Sequence, residues 1–290
     1  MKRRGQNNAF FRVKENIERD LTGIGCAANI VHNCLQHAVD NLPVCVESLV
    51  KICKFFHIYT IRVTELKQFC DFVEIEYQRI LQHGNTRLFS LLPALQRMLE
   101  MFEGLRSYFN SQEGCPTLIK NCFQEPTQEL HLRFVHGQLK YFNETILKLE
   151  SENASTVDVA HVLSELKLNL LAKKENSFIP SQAIILLRKL EEAGEVNVEK
   201  FYKETSAFYE KCIAYLDLYG AVYKDLLSHL WIDLKAEISW AQVFESARKI
   251  NVMFRKIDSD SLFDEQLLVS RPNNKPLSIE KARIRMSQGR

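Results

Sequence analysis

The residues that could do chemistry cluster early in the chain. Cys26, His32, Cys34 and His37 fall within twelve positions, and helical spacing would bring Cys34 near His37. A zinc site needs two short-spaced pairs, and only His32-x₄-His37 has such spacing, so the group reads as structural. Gly23-Ile-Gly25 before a helical stretch resembles the start of a dinucleotide fingerprint, but the third glycine position is Ala28 and no acidic residue follows about twenty positions on. Asp258, Asp260, Asp264 and Glu265 resemble the opening of a calcium loop, yet Phe263 replaces the glycine of the sixth position and Val269 the final glutamate. No Gly-x-Ser-x-Gly elbow is present. Asp71 and Glu74 have the spacing to share a helix face and read as a solvated face. The expectation is a chain without catalytic residues, metal or cofactor.

The elements that carry these residues are helical. Leu88, Leu91, Leu92, Leu95, Leu99, Phe102, Leu105 and Phe109 form one stripe over six turns, which predicts a single long helix. Ser90 is placed to cap it, with Pro93 in the first turn, where a missing N–H costs nothing. Leu66, Phe69, Cys70, Val73, Tyr77, Ile80 and Leu81 predict a second helix, broken at His83-Gly84-Asn85 and paired antiparallel with the first. Val46, Leu49, Val50, Cys53 and Phe56 give another amphipathic stretch. Leu132, Val135, Leu139, Phe142, Ile146 and Leu149 alternate spacings of three and four over two and a half heptads. That is too short for a self-associating coiled coil and predicts a helix packed inside a bundle.

After a polar turn at 150–155, Val159, Val162, Leu163, Leu166 and Leu170 resume the pattern, and 173–177 reads as a loop. Residues 183–190, 201–216 and 222–234 predict further helices, the last two rich in aromatics read as core. The single credible strand is 21–26, and one strand makes no sheet.

Composition agrees with this reading. The 290 residues are 46% hydrophobic and 26% charged, a globular balance, with ten Gly and seven Pro, too few for a strand-dense sandwich. No window approaches a membrane span and no apolar signal segment follows Met1, so a soluble, intracellular chain is expected. Eight cysteines inside apolar patterns are read as reduced thiols packed in cores. The sequons at Asn143 and Asn153 are therefore taken as chance matches. The net charge of +2 hides a partition: residues 1–19 carry +4 and residues 270–290 carry +5, leaving the middle at −7. An acidic body argues against duplex binding by the folded part and leaves the ends as basic tails.

Two segments carry a family resemblance. Ile24-Gly-Cys26-Ala-Ala-Asn-Ile-Val-His32-Asn-Cys34 and Asn85-Thr86-Arg87-Leu88-Phe89-Ser90-Leu91-Leu92-Pro93 resemble hAT-superfamily DNA transposases, in particular vertebrate transposase-derived proteins. Residues 69–77 and 99–109 resemble the same subgroup, and the likeness spans roughly 5 to 268. It implies a ribonuclease H-like sheet bearing two aspartates, a C-x-x-H segment, a T-R-W segment entering a helical insertion, and a third acid near a C-terminal dimer region.

Cys26, Thr86 and Arg87 keep the family residue, whereas Asn29 stands for the histidine and Leu88 for the tryptophan that would stack on an extruded base. The expected position of the second aspartate lies just before this chain begins, and the segment for the third acid and the dimer contacts is replaced by the tail, so dimerisation is not expected. The resemblance thus implies a mainly α protein: a remnant of the nuclease-like core at 1–42, a helical insertion domain at 43–257 and a basic tail at 258–290. The function it implies is a catalytically inactive, nuclear protein-interaction or regulatory module with an unidentified protein partner. The alternatives are weak nucleic-acid binding through Thr86, Arg87 and the basic ends, and an activity like the E3 SUMO-protein ligase described in this subgroup.

Overall fold

The computed structural model describes residues 25–43, 52, 56, 60–79, 88–112, 114–151, 154–224, 239–254, 258 and 261–264. The protein is mainly helical, and no strand occurs among these residues. Residues 21–24 of the expected strand lie outside them. Gly25 is not extended into a ladder, and Cys26 is the N-cap of the first helix. Also outside lie 83–87, most of the 46–56 stretch, most of the 222–234 helix and the two basic ends. No helix among the described residues is long and apolar enough to cross a membrane. The chain forms two compact units, Met1–Asn153 with Val162–Ala221, and Ala154–His161 with Val222–Arg290.

In the larger unit, α1 (Ala27–Val39) buries Ile30, Val31, Cys34, Leu35 and Ala38 along one face. Then follow α2 (Thr60–Phe72), α3 (Leu88–Glu100), α4 (Phe102–Ser111), α5 (Thr117–Gln124) and α6 (Pro126–Leu149). Beyond it come α7 (Thr156–Glu175), whose residues 156–161 belong to the smaller unit, α8 (Ser181–Glu192) and α9 (Val198–Tyr219). Helix α6 is the hub, packed on α1, α3, α5 and α8, and α1 packs closely on α9. Of the heptad seam, Leu132, Val135, Leu139, Phe142 and Ile146 are buried inside a bundle and Leu149 is half-buried, while Leu130, Phe134 and Gln138 widen the seam into a broad buried face. Edge-to-face rings join α6 to α9, with Phe134 5.2 Å from Phe208 and 5.9 Å from Tyr209.

Three expectations about the helices need correction. The long helix over 88–109 is two helices, because the chain breaks at Met101 (φ −101°, ψ 14°). The thioether of Met101 accepts the Gln78 N–H at 3.1 Å. Gly104 lies so close to α2 that an added Cβ would stand 2.8 Å from Cys70 Sγ. Helix α3 packs on α6 while α4 packs on α2 and α5, two directions that one straight rod cannot serve. The packing partner of α2 is accordingly α4. Since α3 starts at Leu88, Pro93 sits in its second turn and leaves the Phe89 carbonyl without a helical donor.

The second correction is the end of α2. It stops at Phe72 because Glu74 adopts φ +57°, with the Ile75 N–H bonded to Cys70 O and the Glu74 N–H to Asp71 O. That is a Schellman end without glycine. Asp71 and Glu74 therefore share no helix face. The same motif closes α7, with Ser177 at φ +47° and the Phe178 N–H bonded to Lys173 O. Gly194 (φ +70°) closes α8 likewise.

The third correction concerns the loop read at 173–177: Lys173, Lys174 and Glu175 belong to α7. The start of α7 is a reciprocal cap, since the Asp158 N–H donates to Ser155 Oγ at 3.1 Å and the Ser155 N–H to Asp158 Oδ2 at 2.7 Å.

The smaller unit contains α10 (Ala221–Lys224), most of whose residues belong to it, and α11 (Trp240–Phe254). Val243 and Ala247 pack on Leu262, and the Trp240 ring meets Phe263 edge-on at 4.8 Å. Asp258 accepts a hydrogen bond from Ser261 Oγ at 2.7 Å and starts the short turn 261–264.

Candidate functional site

The residues of the family motifs do not assemble into a described site. Cys26 and Asn29 are both exposed at the start of α1. Leu88 begins α3, with its side chain outside the described residues, as are Thr86 and Arg87 altogether. The Cys26, His32, Cys34, His37 group diverges: Cys34 is fully buried and donates to Cys212 O at 3.4 Å, whereas His37 is exposed beside the Tyr215 ring. The two stand one turn apart on the side of α1 that meets α9, Cys34 closed into the core and His37 open to solvent. His32 is half-buried, and burial pushes its imidazole below the ordinary value. No group of three metal-capable side chains occurs among the described residues.

Two polar constellations do assemble in the larger unit. The first threads its core. Gln138 of α6 is fully buried, its Nε2 donates to Tyr209 Oη of α9 at 3.0 Å, and Tyr209 Oη donates to Phe178 O at 2.9 Å. Lys173 of α7 closes the chain by donating its Nζ to Gln138 Oε1 at 3.0 Å. Each buried polar atom thus has a partner, which is what makes such a network tolerable in a core. Burial raises the Tyr209 hydroxyl far above the usual phenol value and lowers the Lys173 amine. Both groups are pushed toward their neutral forms, as desolvation requires. Beside them the Cys212 thiol is held well up by burial and by its contact with Cys34. Thiols of this kind are inert as nucleophiles.

The second constellation lies on the α4–α6 side. Arg133 grips Glu129 through Nε and Nη2 at 2.8 and 2.7 Å, and Arg106 donates to Glu103 at 3.2 Å while standing 3.9 Å from Glu129. Glu129 itself is buried, so its charge needs these partners. The pairs border an open groove of about 480 Å³ lined by Arg106, Lys120, Phe123, Glu129, Leu190 and Glu195 among others. Nearby, the buried His131 faces acceptors from both ring nitrogens, Thr127 O at 2.6 Å from Nδ1 and Glu204 Oε2 at 2.9 Å from Nε2. It fastens α6 to α9 and is not open to a substrate.

The cysteine expectation holds in part: Cys34, Cys70, Cys122 and Cys212 are buried free thiols, but Cys26 is exposed and Cys115 half-buried. The aromatic expectation likewise holds for Phe201, Phe208 and Tyr209 but not for Tyr202 and Tyr219, which are exposed. Asn143 is buried, as suits a chance sequon. Sequence reasoning missed Gln138, Tyr209 as a hydrogen-bonding group, and Lys173. A glutamine on the apolar seam of α6, between Val135 and Leu139, was the available signal. No family model, curated protein or solved structure matches the chain.

Proposed function

We propose that this protein is a catalytically inactive, hAT-transposase-derived chain that works as a nuclear protein-interaction or regulatory module, built from a nuclease-core remnant and a helical insertion. The observation that carries the reading is how five cations of the helical body are used. Arg106 and Arg133 are engaged by Glu103 and Glu129, Lys174 by Glu210 at 2.8 Å, Lys167 by Asp217 and Arg248 by Glu245. A phosphate-tracking surface needs cations free to displace counterions, and these are neutralised in place. The groove bordered by α4, α5, α6 and α8 mixes apolar side chains with paired charge, a lining suited to a polypeptide.

The acidic middle of the sequence, set against basic ends, supports the same division of labour. It also favours the second reading, nucleic-acid binding through Thr86, Arg87 and the ends.

A gel-shift titration on duplex DNA between about 50 and 200 mM salt, combined with a divalent-metal cleavage assay, separates the readings. The expected result is at most a weak shift that salt abolishes, and no strand cleavage. A shift that survives the higher salt would replace the interaction reading with the nucleic-acid one. Strand cleavage would sink both.

A further inference from the structure

Lys173 and Lys174 are adjacent in the last turn of α7, and the helix turns them about 100° apart into different chemical surroundings. Lys174 Nζ meets the Glu210 carboxylate at 2.8 Å. Lys173 Nζ meets the neutral amide oxygen of Gln138 at 3.0 Å, under the rings of Tyr141 at 4.8 Å and Phe178 at 5.4 Å. Among the described residues no carboxylate stands within 4.0 Å of it. The titratable group facing it from α9 is Cys212, a thiol kept neutral by burial. Ring faces and an amide dipole hold a cation less firmly than a carboxylate does. A half-buried ammonium without a counter-charge gives up its proton more readily than one in water. The lowered amine value at Lys173 is in line with this.

From this juxtaposition we propose, beyond the interaction reading above, that Lys173 is a modification site whose amine is acylated by small acyl thioesters. The Nζ lone pair attacks the thioester carbonyl carbon, the C–N bond forms and the C–S bond breaks. The thiolate leaves and takes up the proton lost from nitrogen, so no oxidant or reductant is needed. The amide formed retains one N–H, enough for the Gln138 oxygen, while the cation over the Tyr141 and Phe178 rings disappears. Acylation would therefore act on the joint between α6, α7 and α9.

The test incubates the full chain with the acetyl thioester of N-acetylcysteamine and follows acetylation of Lys173 and Lys174 by peptide mass spectrometry. Lys173 is expected to react at least about threefold faster than Lys174 at pH 7.5, where neutral amine limits the rate. The ratio should fall as pH rises toward 10 and neutral amine ceases to limit the rate, and it should collapse to about one in strong denaturant. A native ratio of one or less overturns the proposal. So does a ratio that persists in denaturant, because local sequence rather than the fold would then explain it.

Discussion

Helix α6 crosses the start of α8 where Gly137 meets Pro180, and a Cβ added to Gly137 would lie 2.4 Å from Pro180 Cγ and 2.5 Å from Pro180 Cβ. Carbon atoms in contact stand about 3.5–4.0 Å apart, so Gly137→Ala must open about 1 Å between the two helices. A proline ring has no rotamer through which to escape. Overpacking of this kind costs about 1–3 kcal/mol, while alanine in place of a mid-helix glycine returns about 0.5–1 kcal/mol. The difference spans about 0–2.5 kcal/mol, and because the proline ring cannot yield, a net destabilisation in its upper part, about 1–2 kcal/mol, is expected. At about 2–4 °C per kcal/mol for a unit of this size, Tm falls by about 2–8 °C.

Circular dichroism melts of the full chain, with urea titrations as a check, measure it directly. The decisive control is the same substitution in a Pro180→Gly background, where the obstructing atoms are gone and alanine should stabilise by about 0.5–1 kcal/mol. An unchanged or raised Tm for Gly137→Ala alone, or equal effects in both backgrounds, would refute the argued contact.

Three further outcomes follow from the core. Tyr209→Phe strands Gln138 Nε2 and Phe178 O and is expected to lower stability by about 1–3 kcal/mol in denaturant titration, more than its lost oxygen would cost at the surface. Tyr108, buried and donating to Glu65 Oε2 at 3.2 Å, has its hydroxyl raised by burial and then by that carboxylate to about 12. A raised folded value means its contribution is complete below about pH 10, the unfolded value, and is lost as pH climbs through 12. Stability should therefore drop more steeply from pH 10 to 12 in the parent than in Tyr108→Phe, as followed by fluorescence melts. Iodoacetamide should label Cys26, and Cys115 more slowly, in the native protein, while Cys34, Cys70, Cys122 and Cys212 react only after unfolding. Rapid native labelling of Cys212 would contradict the α1–α9 packing.

The sequence by itself determined the helical class and the buried faces. Spacings of three and four at Leu132, Val135, Leu139, Phe142 and Ile146 fix which side of α6 faces inward, because a helix offers no other way to hide them. The tertiary structure alone decided where helices end against their periodicity: Met101 breaks a continuous apolar stripe, and Glu74 ends α2 in a left-handed conformation that propensity disfavours. Neither break has a local sequence signal, since each depends on what packs alongside.

The polar network lies beyond periodicity for the same reason. Gln138, Lys173 and Tyr209 are separated by 35 and 71 positions from their partners and meet only when α6, α7 and α9 close together. Whether Lys173 or Lys174 finds a carboxylate is settled by one turn of helix facing one neighbour or another. Two identical side chains side by side in the sequence thus acquire different chemistry from the solvent and charge around them.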